Sequence, residues 1–167
     1  MTQDVEKLTA YLDSRTERRL PRWEELPDLD LYMDQVESLV NRYLEYHTKE
    51  KMLTRSMVNN YVKFKVMPAP VKKKYNREHL AYLIVICLLK QVMPLSSVSE
   101  VLRAGIASDG VEGFYRKFCT INDHVVEASI SQARRSAEQG DSVLGLVLTV
   151  AMEAQAEMTL TEAIMEL

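Results

Sequence analysis

Apolar residues in this chain recur at spacings of three and four, the period of an α-helix. The clearest stripe consists of Met33, Val36, Val40 and Tyr43, with Leu39 and Leu44 beside it. Only five glycines and five prolines interrupt the 167 residues, and no segment alternates apolar and polar residues for long. Hydrophobic residues make up 47% of the chain, which is enough for a core. The pattern therefore predicts an all-α fold, with at most a small β-ribbon in the proline- and lysine-containing segment after residue 67.

Capping residues, prolines and glycines divide this pattern into helices. The expected elements are helices over about Asp4–Arg19, Leu31–Tyr46, Thr54–Phe64 and Arg77–Met93, a helix that begins near Ser96, and helical stretches over residues 111–119, 122–138 and 141–167. Asp30 is placed to cap the second helix, and Ser96 or Ser97 the fifth. Thr159 and Glu162 have the spacing of a capping box, which predicts a break in the last stretch.

Three segments are expected along the chain. Residues 1–29 form an N-terminal helix and an acidic connector, residues 30–103 a central domain, and residues 104–167 a helical C-terminal region that begins with a linker at Gly105–Gly110. No basic start is followed by an apolar stretch, so no signal peptide is expected. The longest uncharged apolar run, Leu80–Leu89, is ten residues, against the roughly 20 that span a bilayer. We expect a soluble cytoplasmic protein in which Cys87 and Cys119 are reduced thiols.

Charge is distributed unevenly along the sequence. The whole chain has 21 Lys or Arg against 24 Asp or Glu, a net charge of −3. Residues 51–90 contain nine of the basic residues and a single acid, Glu78, so this block carries +8 and the other 127 residues carry −11. A basic block in an acidic chain is typical of a module that binds a polyanion, although charge alone fits a solvated basic surface equally well.

The helix expected after Thr54 divides its side chains between two faces. Projected at 100° per residue, five polar or basic side chains fall within an arc of about 140°: Arg55, Ser56, Asn59, Asn60 and Lys63. Apolar side chains fill most of the opposite side: Met57, Val58, Tyr61, Val62 and Phe64. Asn pairs with adenine, Arg or Lys with guanine or phosphate, and a Thr54 cap would direct backbone N–H groups towards a phosphate. The spacing predicts a recognition helix, with Leu31–Tyr46 as the first helix and His47–Lys51 as the turn of a helix-turn-helix.

The segment after this helix has the composition of a DNA-binding wing. Pro68 and Pro70 favour an extended loop, and the adjacent lysines that follow are placed to contact phosphates. Tyr75 is expected to pack the wing against the next helix. The predicted DNA-binding residues are Thr54, Arg55, Ser56, Asn59, Asn60, Lys63, Lys65, Lys72, Lys73, Lys74 and Arg77.

The central domain resembles the MerR-type winged helix-turn-helix over LTRSMVNNYVKFKVMPAPVKKKYNREHLAYLIVICLLKQVMPLSSVSEVL. That group has a recognition helix, a proline-containing wing and then a leucine-rich helix. Together with RLPRWEELPDLDLYMDQV, the segment is similar to the bacterial family called domain of unknown function 1836, whose YkrK-type members are regarded as transcriptional regulators. The chain departs from MerR proteins at Asn59-Asn60-Tyr61, where they carry Arg-Tyr-Tyr, and in its longer first helix. The resemblance, which covers residues 19–103, implies duplex DNA as the partner and a role in transcription.

Catalytic and metal-binding motifs are absent from the sequence. It contains no glycine-rich phosphate loop, no G-x-S-x-G and no HExxH. Cys119 and His124 offer two candidate metal ligands, whereas a structural zinc site needs four. We therefore expect no enzymatic activity, no metal and no cofactor.

The C-terminal stretch is apolar on nearly all sides. Its apolar residues include Val143, Leu144, Leu146, Val147, Leu148 and Val150. A helix of this kind is buried on more than one side, which predicts a homodimer through the C-terminal helices, with burial inside its own chain as the alternative. Phe114, Tyr115 and Phe118 are typical core residues, and the alternative for them is a pocket for a small-molecule effector.

These observations predict a sequence-specific DNA-binding transcriptional regulator that uses a recognition helix and a basic wing. We expect it to act as a repressor. The competing interpretation is a non-enzymatic interaction module whose basic surface binds an acidic protein partner. Both kinds of binding are electrostatic, so salt dependence alone does not separate them.

Overall fold

The computed structural model of the chain describes residues 2–16, 18–46 and 51–167. These residues form the helices α1 (Thr2–Thr16), α2 (Met33–Leu44), α3 (Arg55–Lys63), α4 (Arg77–Leu89), α5 (Leu95–Glu138) and α6 (Val143–Met165), with a short 3-10 turn at Trp23–Glu25. In place of the small β-ribbon, the described residues contain two isolated β-bridges, Leu31–Tyr75 and Val71–Lys74, and no strand. The all-α prediction is confirmed. The predicted turn His47–Lys51 lies, apart from Lys51, outside the described residues.

The chain divides into two compact units, one of Leu20–Cys119 and one of Met1–Arg19 with Thr120–Leu167. This division differs from the expected boundaries at residues 29 and 103. The connector belongs to the first unit because Leu20 and Leu26 are buried in its core. Residues 104–119 belong to it as well, since Tyr115 is buried there and its hydroxyl donates a hydrogen bond of 2.8 Å to the carbonyl of Pro21.

Helix α4 is the centre of the first unit. Its buried residues are His79, Leu80, Ala81, Leu83, Ile84, Val85, Ile86 and Cys87. Asn76 caps the helix, because its Oδ1 accepts a hydrogen bond from the backbone N of His79 at 3.2 Å. The helix ends at Leu89, four residues earlier than predicted, because the backbone N–H groups of Gln91 and Val92 donate to the carbonyls three residues back, in turns that tighten the chain after the helix. Helix α2 packs Val36, Val40 and Leu44 into the same core, which confirms the stripe that the sequence predicts.

Two of the predicted capping positions are wrong. Asp30 lies outside α2, because the backbone of the next residue, Leu31, pairs with Tyr75 through hydrogen bonds of 2.8 and 2.9 Å instead of entering the helix. Ser96 and Ser97 lie inside the first turn of α5, since the proline before that helix already accepts its first backbone hydrogen bond. Both errors arise from backbone partners that local sequence patterns do not specify.

Helix α5 is longer than predicted. It runs without a break through residues 119–122, and the predicted linker reduces to a kink at Gly110, with φ 69° and ψ 173°. Glycine adopts such a backbone without the steric cost that other residues incur. Gly105 lies inside the helix, and it allows the ring of Phe114 to pack directly against the backbone, because a Cβ at this position would collide with that ring.

The second unit has a thin core. Its buried residues are Leu12, Ile130, Ala133 and Leu146, with Leu8 and Val126 packed against them. Ser142 caps α6 by accepting a hydrogen bond of 3.0 Å from the backbone N of Gly145. The predicted break near Thr159 is wrong, because its hydroxyl donates to the carbonyl of Gln155 at 3.1 Å inside a continuous helix. Leu146 is the one residue of α6 that is buried.

Candidate nucleic-acid interface

Helix α3 has the two faces that its sequence predicts. Its exposed side chains are Arg55, Ser56, Asn59, Asn60 and Lys63. On the other face Val58 and Tyr61 are buried, and Met57 and Val62 are half-buried. Burial raises the pKa of Tyr61 to about 12, so its phenol is neutral at physiological pH. Thr54 is the predicted N-cap, since its Oγ1 accepts from the backbone N of Met57 at 3.3 Å.

The start of α3 is fixed to α2 by one amide side chain, Asn41. Its Nδ2 donates to the carbonyl of Leu53 at 2.8 Å, while its Oδ1 accepts from the backbone N of Met52 at 2.9 Å and of Leu53 at 3.0 Å. Met52 and Leu53 are both buried, so these backbone groups need partners within the protein. Asn41 therefore supplies the hydrogen bonds that hold the two helices in one arrangement. No sequence pattern identifies Asn41, because only the fold brings residues 41 and 53 together.

A carboxylate lies at the N-terminus of α3. Glu37 of α2 accepts from the backbone N of Arg55 through Oε2 at 3.2 Å, and its Oε1 is 3.4 Å from Nζ of Lys51. A negative side chain at this position is stabilised by the helix dipole. Glu37 and Thr54 thus accept from two of the backbone N–H groups that the sequence pattern assigns to a phosphate, those of Arg55 and Met57.

The predicted wing is a short hairpin with lysines at its tip. Val71 and Lys74 exchange two backbone hydrogen bonds, of 3.1 and 2.9 Å. Lys72 and Lys73 form the turn between them with φ values of 50° and 65°, and both are exposed. Positive φ at both central residues is the geometry of a type I′ turn, for which Asn-Gly is the preferred sequence. A non-glycine residue in this region costs on the order of 1 kcal/mol or more, and such strain is concentrated at functional positions.

The hairpin is anchored on the first turn of α4. Tyr75 is 4% exposed, and its ring packs edge-on against the ring of His79 with 5.4 Å between centroids. Nε2 of His79 lies 3.3 Å from the carbonyl oxygen of Ala69, on the entry side of the hairpin. Nζ of Lys74 lies 5.6 Å from the ring centroid of Tyr32. The expectation that Tyr75 packs the wing against the next helix is confirmed.

The residues that follow α3 differ from the prediction. Phe64 was expected on the apolar face, and that is wrong: it is 64% exposed, with Nζ of Lys63 5.8 Å from its ring centroid. The helix ends at Lys63, so the projection at 100° per residue does not extend to Phe64. Lys65 is exposed with φ 57°. Phe64 adds an exposed aromatic ring to this basic surface, and its position between two lysines was the signal that could have identified it.

Arg77 is placed differently from the other predicted contacts. Its Nε donates to the carbonyl of Leu26 at 3.1 Å, its Nη2 lies 3.7 Å from Asp28, and its Cζ lies 5.7 Å from the ring centroid of Trp23. Arg77 therefore fastens the connector to α4. Lys51 pairs with Glu37, and Lys90 donates to the carbonyl of Met52 at 2.8 Å. The six remaining cations of the block have no carboxylate partner in the described part of the chain: Arg55, Lys63, Lys65, Lys72, Lys73 and Lys74.

Other chemistry has little support in the described residues. They contain no group of three or more His, Cys, Asp or Glu placed to hold a metal ion. Cys87 and Cys119 are buried and form no disulfide, and burial raises the pKa of the Cys87 thiol to about 12. Phe114 and Phe118 pack against the core, as expected of core residues. An open cavity of about 740 Å³ lies elsewhere in this unit, between the end of α3 and the first turns of α5, with Lys65 and Arg103 in its lining.

Comparison with known proteins identifies this unit as a family domain. No curated protein and no solved structure shows a significant match to the chain. The family model described as Domain of unknown function (DUF1836) matches residues 21–118. Those limits lie within one residue of the first compact unit, Leu20–Cys119, and they extend beyond the resemblance noted in the sequence, which ended at residue 103. Because the match covers more than half of the chain, this protein belongs to the DUF1836 family.

Proposed function

We propose that this DUF1836 protein binds duplex DNA sequence-specifically and regulates transcription, most simply as a repressor. The observation that carries the proposal is the outer face of α3, where five polar or basic side chains are exposed and no acid is present. A hairpin with two strained, exposed lysines at its tip follows in the same unit. Side chains that read base edges, next to lysines that contact phosphates, are the two parts of a winged helix-turn-helix.

The exposed side chains divide into two roles. Asn59 and Asn60 have the amide groups that pair with adenine, and Arg55 has the guanidinium that pairs with guanine, each worth about 1–3 kcal/mol of discrimination between bases. The remaining cations with no carboxylate partner in the described residues, Lys63, Lys65 and Lys72–Lys74, neutralise phosphates and give affinity without sequence preference. Arg77 and Thr54 support the surface from within the protein rather than contacting DNA.

Selection of bound fragments from random duplex DNA tests the proposal with the full chain. We expect one sequence motif to be enriched over successive rounds, and the enriched duplex to bind more tightly than a scrambled duplex of equal length and composition. Equal binding of both duplexes would contradict sequence-specific reading. An absence of binding to either, together with salt-sensitive binding to an acidic protein, would instead support the interaction module.

A further inference from the structure

Helix α6 is apolar and almost entirely exposed. Its exposed large apolar residues are Val143, Leu144, Val147, Leu148, Val150, Met152, Met158, Leu160 and Ile164. Leu146 alone is buried. Soluble monomers rarely expose contiguous apolar patches beyond a few hundred Å², so a surface of this kind indicates a partner.

The second unit also contains an apolar groove. Helices α1, α5 and α6 enclose a space of about 640 Å³. Helix α6 contributes Leu146, Val147, Val150, Ala151 and Ala154 to the lining, and Arg15 is the one charged residue in it. Three helices around an apolar groove resemble a four-helix bundle from which one helix is missing. The groove and the four buried residues beneath it belong to the same core, so whatever fills the groove also completes that core.

A lipid bilayer is a poor occupant for this surface. By length and composition α6 is able to cross a membrane, and it is the one described helix of that kind. However, Glu153 and Glu157 lie near its middle, where an acidic residue costs about 2.5–3.5 kcal/mol. Residues 136–142, which precede α6, contain no Lys or Arg, so this end of the helix has no basic residue that attracts anionic lipid headgroups.

A second copy of this chain fits the surface better. Each chain carries both halves of the contact, a groove lined by one flank of α6 and an adjoining flank with Leu144, Leu148 and Met152 at four-residue spacing. Two charged groups at the edge have partners within the chain, since Glu153 accepts a hydrogen bond from the amide of Gln132 at 2.5 Å and Asp13 accepts from Arg134 at 2.5 Å. Arg15 is the one charged residue of the groove lining, so the packed flank meets a wall that is otherwise uncharged.

The size of the surface is also sufficient. A helix of 23 residues is about 35 Å long and about 10 Å across, and so presents on the order of 1,000 Å² around its circumference. A stable interface buries about 800 Å² per partner. The free flanks of α6 and the groove walls together reach this value. Four buried residues form a small core, so the apolar surface around them has to be covered whenever the protein is folded. A second copy of the chain is present under all such conditions.

We propose that α6 of a second copy packs into the groove formed by α1, α5 and α6, and that two copies exchange these contacts around a two-fold axis. The contact is isologous, so each copy gives its α6 flank and receives that of its partner. This inference rests on the second unit and does not depend on DNA binding, which the first unit carries.

Light scattering coupled to size exclusion tests the inference on the full chain. We expect a dimer mass at 10 μM for the wild type. Leu148 and Val150 are 58% and 50% exposed in the single chain, so an Asp at either position does not disturb the fold of that chain. Leu148→Asp and Val150→Asp are each expected to give a folded monomer, because the charge would be buried in the dimer contact. Thr149→Asp is the matched control, because it adds the same charge on an exposed polar position between them and is expected to stay dimeric.

Three outcomes overturn the inference. One is a wild-type monomer at 100 μM, and another is a dimer that both α6 variants leave intact. The third is co-flotation of the wild type, but not of Leu148→Asp, with vesicles of phosphatidylcholine and phosphatidylglycerol, which would identify a membrane as the occupant. Should the variants precipitate, hydrogen exchange of the wild type decides: amides of α1 and α6 are expected to gain protection as protein concentration rises, and protection that is independent of concentration contradicts the dimer.

Discussion

The two compact units of this protein differ in how they cover their apolar residues. Of the described residues, 24 are buried in one cluster in the first unit and four in the second. Of the described large apolar residues that are exposed, five lie in the first unit and thirteen in the second. Three of those five, Tyr32, Phe64 and Val71, lie beside the cations of the candidate interface. The first unit covers its apolar residues in a core of its own, whereas the second leaves most of them exposed, which is the surface that we propose a second copy covers.

The largest effect is expected in the core of the first unit. Leu83 is fully buried in α4, so Leu83→Ala removes contacts and leaves a cavity, and should lower the free energy of unfolding by about 2–5 kcal/mol. Leu29→Ala is the control in the same unit, because Leu29 is 61% exposed and its truncation should change stability by less than about 0.5 kcal/mol. Urea unfolding measures both. Equal effects of the two changes would contradict a core centred on α4.

The next effect concerns the link between α2 and α3. Asn41→Ala leaves the backbone groups of Met52 and Leu53 without partners, so it should lower the free energy of unfolding by about 1–3 kcal/mol. Ser38→Ala, an exposed change on the same helix, is the control. DNA affinity of the folded Asn41 variant should fall on every duplex, because the position of α3 is lost rather than one base contact. Unchanged thermal unfolding would show that water replaces the amide.

A change at the hairpin tip is expected to raise stability and to lower affinity for DNA. The double change Lys72→Asn and Lys73→Gly keeps the type I′ turn and removes its strain, so thermal stability should rise by the equivalent of about 1 kcal/mol. Affinity for all duplexes should fall, and the slope of log affinity against log salt should decrease by up to about 0.9 for each lost phosphate contact. Lys7→Asn, on an exposed lysine of the second unit, should change neither. A stabilised variant that binds DNA as the wild type does would remove the wing from the interface.

The smallest expected effect is a difference in thiol reactivity between the two units. Cys87 and Cys119 are buried in the first unit, and the raised pKa of Cys87 keeps its thiol protonated at pH 8, where thiol reagents need the thiolate. Ellman's reagent should therefore label the native protein only as fast as this unit opens. A cysteine introduced by Glu166→Cys, at an exposed position beyond α6, should react at once. Rapid labelling of two thiols in the wild type would contradict a closed first unit.

Sequence patterns predicted the parts of the fold that depend on neighbouring residues. The spacing of Val36, Val40 and Leu44 identified the buried side of α2, and Thr54 was recognised as the cap of α3. The family was recognised from its motifs, and the family match confirms it.

Features that depend on distant partners were missed. Asn41 bonds to backbone twelve residues away, and Arg77 bonds to Leu26 across 51 residues. The left-handed lysines at the hairpin tip carry no sequence signal, because lysine is not a residue that such turns favour. The exposure of α6 was missed, because its apolar residues match the pattern of a buried helix.

Asn59→Ala, measured on the duplex obtained by selection, tests whether the outer face of α3 reads bases. We expect a loss of about 1–3 kcal/mol on that duplex, little change on a scrambled duplex and an unchanged salt slope, because an amide on a base edge releases no counterion. Tyr61→Phe is the control on the opposite face: its buried hydroxyl has no hydrogen-bond partner in the described structure, so the variant should bind both duplexes as the wild type does. Fluorescence anisotropy titrations at several salt concentrations measure all of these. Equal affinity of Asn59→Ala and wild type for the selected duplex, or an equal loss on both duplexes, would contradict the account.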